Sequence, residues 1–152
     1  MHRRPHRYFQ SYIISQEKAV KLTPQDHAEI SDQLNILGIL LASRFTLTGA
    51  VADISEAISS QQEAVHLTPQ GHPDMPDHLN ILGSYFGQHF QRTGDPTDIS
   101  EALPSQRKAV HLTQGNVERA RHLTSLGDSF KHRFERTRDI TDISEATSFQ
   151  QT

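Results

Sequence analysis

Cysteine and tryptophan are absent from this 152-residue sequence, glycine occurs eight times, and no long apolar run is present. Without cysteine there is no disulfide framework and no thiolate site for zinc or an iron–sulfur cluster. A reducing compartment suits such a chain, and the cytoplasm is the expected location. No stretch approaches the roughly 18 apolar residues that a membrane-spanning helix needs. The opening MHRRPHRYF is basic but lacks a following hydrophobic segment, so it does not read as a secretory signal. Residues 1–7 read instead as a basic, flexible N-terminus. Strong charge of one sign is also missing: the formal net charge is −3 with ten histidines counted neutral. The chain therefore has no overall positive field of the kind that nucleic-acid binding requires. Neither a membrane nor a nucleic acid is an expected partner. Hydrophobic residues make up 34 % and the mean hydropathy is −0.60. That is little for a solid globule, but suits a thin array whose units each bury one face against a neighbour.

Internal repetition is what the chain has in place of these features. ISEAISSQQEAVHLTPQGHPDMPDHLNILG begins at Ile54, ISEALPSQRKAVHLTQGNVERARHLTSLG at Ile99 and ISEATSFQQ at Ile143, giving periods of 45 and 44 residues. One period before Ala64-Val65 stand Ala19-Val20. Self-similarity at such a period marks stacked supersecondary units.

Each period holds two helical patterns. The first runs Leu79, Leu82, Phe86, Phe90, with copies Leu34, Leu37, Leu41, Phe45 and Leu123, Leu126, Phe130, Phe134. Steps of three and four place these residues on one helical stripe, where they read as core. Gly83 and its copies Gly38 and Gly127 lie on that stripe at a cost of about 1 kcal/mol relative to alanine, which predicts close approach by another helix. The second pattern runs Ile54, Ala57, Ile58, Gln61, Ala64, Val65 and recurs 45 residues later. Asp53 with Glu56, Asp98 with Glu101 and Asp142 with Glu145 have capping-box spacing, and Gly49 and Gly94 mark the preceding turns. No segment alternates at period two, so the fold is all-α. The predicted helices are 8–22 as a leading half-repeat, then 29–47 with 53–67, 75–92 with 98–112, and 117–136 with 142–152. The array thus spans 8–152, with repeats at 29–67, 75–112 and a C-terminally truncated 117–152. That last helix is expected to fray, or to self-associate through an uncapped end.

The residue order resembles the tetratricopeptide repeat (TPR): Leu79, Leu82-Gly83 and Phe86 fit its first helix, and Ala57, Ala64 and Pro69 its second, with Gln61 where an aromatic is common. The usual period is about 34 residues, and the extra length here lies in HFQRTGDPTD and TPQGHPDMP. The phrases LN-x-LG and RTGD…DISEA make it similar to long repeats of mushroom-forming fungi that often precede a caspase-like CHAT domain, and more distantly to kinesin light-chain repeats. Pro104 inside a helix, Arg138 in place of the turn glycine, and Thr113-Gln114-Gly115-Asn116 depart from the pattern. The resemblance implies a right-handed α-solenoid of helix-turn-helix repeats whose first helices line a concave groove.

Asn35 and Asn80 recur one period apart on those first helices, with Thr124 as third copy. Ser84, Gln88, Asp128 and His132 face roughly the same way. An asparagine there both donates to and accepts from an extended partner backbone; a solvated, helix-stabilising residue is the other reading. His66, His72, His78, His111 and His122 invite a metal, but spacings of six do not converge on one ion. His27 with His72 and His66 with His111 are repeat copies, which suits surface roles. No G-x-S-x-G, H-E-x-x-H, P-loop or G-x-G-x-x-G motif is present. The sequence therefore predicts a non-enzymatic scaffold for a protein or peptide partner, without cofactor or metal. A structural spacer or degenerate array, and a regulatory fragment of a CHAT-type protease, are the alternatives.

Overall fold

The computed structural model describes residues 6–137, and its described residues form six helices and no strand. They fall into two compact units, Met1–His72 and Pro73–Thr152. In the first unit α2 (Ile30–Thr48) packs against both α1 (His6–Leu22) and α3 (Val51–Leu67). In the second, α4 (Met75–Thr93) packs on α5 (Pro96–Leu112), and α6 (Asn116–Thr137) packs on both. The expected helix at 142–152, its fraying and the cap Asp142 lie outside the described residues.

The three-and-four stripes are the core, as their spacing predicts, except that Phe45 and Phe134 at their ends are only half-buried. In the first unit Ile30, Leu34 and Ala64 are buried together, with Val20 and Leu67 packed against them. In the second, Phe90, Ile99, Leu103, Val110, Leu123, Leu126 and Phe130 form one buried cluster drawn from all three helices.

The turns are shorter than the sequence suggests. Gly49 and Gly94 end α2 and α4 in the left-handed conformation (φ 70° and 75°), each donating its N–H to the carbonyl four residues back at 2.7 Å. Glycine takes that conformation without a Cβ penalty. Only one residue then separates each glycine from the next helix, so HFQRTGDPTD adds helical residues rather than turn. This overturns the expected caps. Asp53 and Asp98 are not N-caps but third residues of α3 and α5. The caps are Ala50, which has no side-chain bond, and Asp95, whose carboxylate accepts from Thr97 N–H at 3.0 Å and Thr97 Oγ1 at 2.8 Å. Those bonds hold the Asp95 carboxyl below its ordinary value. Pro96 follows at the first helical position, where its missing N–H is not needed.

Threonine closes the second-helix pattern. Thr23, Thr68 and Thr113 each turn Oγ1 back onto the carbonyl of Ala19, Ala64 or Ala109, at 2.8, 2.6 and 2.6 Å. The LT dipeptide that recurs at each of these sites thus satisfies a carbonyl at a helix end.

The close approach predicted at Gly83 is real, and its cause is a side chain. A Cβ there would run into Gln106 Cγ and stand 2.9 Å from Gln106 Cδ. Gln106 is 2 % exposed, and its Oε1 accepts from Ser129 Oγ at 2.6 Å. The glutamine therefore has little freedom to retreat. Alanine at 83 gains about 1 kcal/mol of helix propensity, against about 1–3 kcal/mol for overpacking and a weakened Ser129 bond. Gly83→Ala is expected to lower the stability measured by urea unfolding by about 1–2 kcal/mol; a gain would show that Gln106 moves freely.

Candidate interaction faces

Each unit presents first-helix residues to solvent, and the two faces are built differently. In the first unit Asn35 lies on α2 and is half-buried. Its Oδ1 is shut off from solvent yet meets no hydrogen-bond donor. In the second unit Asn80, one period later on α4, is half-buried with Oδ1 in the same condition. A buried acceptor without a donor costs about 1–3 kcal/mol. Folding alone would favour an aliphatic residue at both places. The third copy differs: Thr124 is exposed, and its Oγ1 donates to Ala120 O at 3.0 Å.

The second unit sets two first helices side by side. Ser84 and Gln88 on α4 are half-buried, as is His132 on α6, while Asp128 on α6 is exposed. Gln91 Nε2 on α4 lies 2.9 Å from His132 Nε2 and joins the two helices at one end. At the other end Asp77 Oδ1 accepts from Arg121 Nη2 at 2.9 Å and lies 3.1 Å from His122 Nε2. Around α2 in the first unit the chemistry is more apolar, since Ile36, Ile39 and Leu47 are 44–54 % exposed.

Behind these faces lie polar pairs that the sequence did not reveal. Arg44 grips Asp53 through two bonds of 2.9 and 2.7 Å between α2 and α3. The hydrogen bond to Asp53 raises the already high value of the Arg44 guanidinium, against a smaller opposing effect of burial. One period later His89 Nδ1 lies 2.5 Å from Asp98 Oδ2 between α4 and α5. The signal was available, because the basic residue and the aspartate both recur at 45 residues. The histidines considered for metal have unlike surroundings: His66, His72 and His111 are exposed, His78 and His122 are buried, and His122 lies 2.8 Å from Thr113 Oγ1. Burial also pushes the Tyr85 phenol upward from its usual value. Among the described residues no helix is long and apolar enough to cross a membrane.

The architecture is similar to the crystal structure of a Podosopora anserina protein described as a kinesin light chain with nearly identical TPR-like repeats. The match has 14 % sequence identity and a TM-score of 0.62, and covers 93 % of this chain and 67 % of that one. No family model matches the sequence, and no curated protein does. At this identity the likeness concerns the fold alone: the described residues are all-α and built of TPR-like helical repeats.

Proposed function

We propose that this chain is a non-enzymatic scaffold that holds a partner protein, or an extended peptide, on the exposed faces of its first helices. The supporting observation is the pair Asn35 and Asn80. Both occupy one repeat position on a first helix, and both are half-buried polar side chains beside a core leucine. Both residues are half-buried, and a partner backbone would meet the part of each side chain that reaches solvent, not the enclosed oxygen. An extended backbone offers donors and acceptors at regular intervals, so polar side chains on the first-helix face of either unit hold it without demanding one sequence. Thr124, Ser84, Gln88, Asp128 and His132 extend the polar face in the second unit. The cytoplasm, a reducing compartment, is the setting we propose. The fungal type of repeat and its CHAT association form the finer part of this reading, resting on the LN-x-LG and RTGD…DISEA phrases.

The double change Asn35→Ala with Asn80→Ala separates a binding role from a folding role. Loss of two orphaned acceptors is expected to leave urea stability unchanged or raised, while affinity for a partner captured by the intact chain falls. Each hydrogen bond contributes about 0.5–1.5 kcal/mol, so the loss at the face of either unit corresponds to roughly two- to tenfold. Gln62→Ala, exposed on α3, is the control and is expected to leave affinity unchanged. A double variant that binds normally while Gln62→Ala does not would reject the assignment. A chain that captures no partner would favour a structural spacer.

A further inference from the structure

One stripe of the second-helix pattern carries the contact with the first helix beside it. On α3 it holds Asp53, Ala57 and Ala64, and on α5 their copies Asp98, Ala102 and Ala109. All four alanines are 0 % exposed, and the aspartates reach Arg44 of α2 and His89 of α4. The copies of this stripe on α1 are Tyr8, Tyr12 and Ala19, continued by Leu22. There it lies open to solvent. Tyr8 is 50 %, Tyr12 59 % and Leu22 84 % exposed, while Ile13, on the side turned to the core, is buried.

We propose that this stripe of α1 docks an amphipathic helix of a partner protein, one that carries acidic residues beside its apolar seam. Helical form follows from the register. The same positions on α3 and α5 receive a helix, and steps of four and three are those of helix-on-helix packing. Acidic character follows from the flank, where Arg7, Lys18 and Lys21 are exposed along one side of the stripe. Glu17 is the only acid of α1; it is half-buried and acts on the Arg44 guanidinium of α2. The rest of the unit has the opposite sign. Between residues 23 and 72, Arg44 stands against Asp26, Glu29, Asp32, Asp53, Glu56 and Glu63. A positive strip on an acidic unit steers an acidic helix to α1 and away from the other helices.

The tyrosines set what the incoming helix must offer. Alanine at 57 and 102 lets a first helix come close, whereas Tyr12 fills that space. The partner therefore needs alanine or glycine opposite the ring. Tyr8 stands where the other copies hold an aspartate bonded to a basic residue, so the polar clamp of the repeat is replaced by an aromatic one. Exposed tyrosines give large contact area at little conformational cost, and their hydroxyls stay available at the rim. This stripe lies on a second helix, apart from the first-helix face of Asn35, and stands whether or not that face binds a peptide.

The test titrates the full chain, at low ionic strength, into two labelled helical peptides read by fluorescence anisotropy. One has alanine and leucine along its seam with glutamate on both flanks; the other has lysine in place of every glutamate. The acidic peptide is expected to bind and the basic one not. Tyr12→Ala is expected to weaken that binding by about tenfold or more, as for an aromatic anchor, with the helical signal unchanged because the side chain is exposed. Lys18→Glu with Lys21→Glu is expected to reverse the preference between the two peptides, and added salt to weaken wild-type binding. Asn35→Ala with Asn80→Ala is expected to bind the acidic peptide as the wild type does. No binding of the acidic peptide, equal binding of both, or unchanged affinity in Tyr12→Ala would overturn the proposal. So would a dimer in sedimentation that Tyr12→Ala dissolves, which assigns the stripe to a second copy. Tyr12-dependent binding to vesicles of phosphatidylserine and phosphatidylcholine would assign it to a lipid surface and overturn it equally.

Discussion

Replacing Phe130 by alanine is expected to destabilise the second unit by about 3–5 kcal/mol, the range for a large aromatic removed from a core. Phe130 is 0 % exposed and touches α4 and α5 residues through the cluster of Phe90, Ile99, Leu103, Val110, Leu123 and Leu126. Its ring also carries Arg107 at 5.2 Å and Arg133 at 5.5 Å from the centroid. Each such contact adds about 0.5–1 kcal/mol at a partly exposed site. Phe130→Leu keeps most of the buried volume but loses both cation contacts, so it is expected to cost less than the alanine change. Urea unfolding of the two variants reads the difference. A cost below about 1 kcal/mol for Phe130→Ala would mean that α6 does not close this core.

Pro104→Ala is expected to work in the other direction, stabilising the chain by about 3 kcal/mol. Pro104 lies in the middle of α5, and the helix runs unbroken from Pro96 to Leu112 around it. It has no N–H for the Ser100 carbonyl, and its ring crowds that carbonyl. The side chain is exposed while its neighbours Leu103 and Gln106 are buried, so alanine removes the penalty without disturbing packing. The copy one period earlier is Ser59, also in a helix. A midpoint in urea that does not rise would show that the helix has already adapted fully to the proline.

Much of the fold was legible because burial leaves a periodic trace. Leu34, Leu79 and Leu123 announce one helical face, and glycine at 83 announces a close neighbour. Gln106 was legible as a member of the second-helix pattern, the copy of Gln61, but that it faces Gly83 and is held there by Ser129 was not. The caps were misread for a related reason. An aspartate followed three residues later by glutamate fits a helix start, but a left-handed glycine lets the chain re-enter a helix after one residue, and Asp53 and Asp98 then fall inside. Their carboxylates turn to Arg44 and His89, partners from another helix. Of the candidate face, the recurrence of Asn35 and Asn80 was readable in the sequence. Their unpaired oxygens were not, since that depends on what the surrounding helices fail to offer. The His122 arrangement was hidden because its aspartate stands 45 residues away on a different helix.

The most direct test of the scaffold reading is amide hydrogen exchange on the chain alone and with a captured partner. Binding on the first-helix faces is expected to slow exchange in α2, α4 and α6, centred on Asn35 and Asn80, with α3 and α5 little changed. Slowing confined to α3 and α5, with none at Asn35 or Asn80, would contradict it.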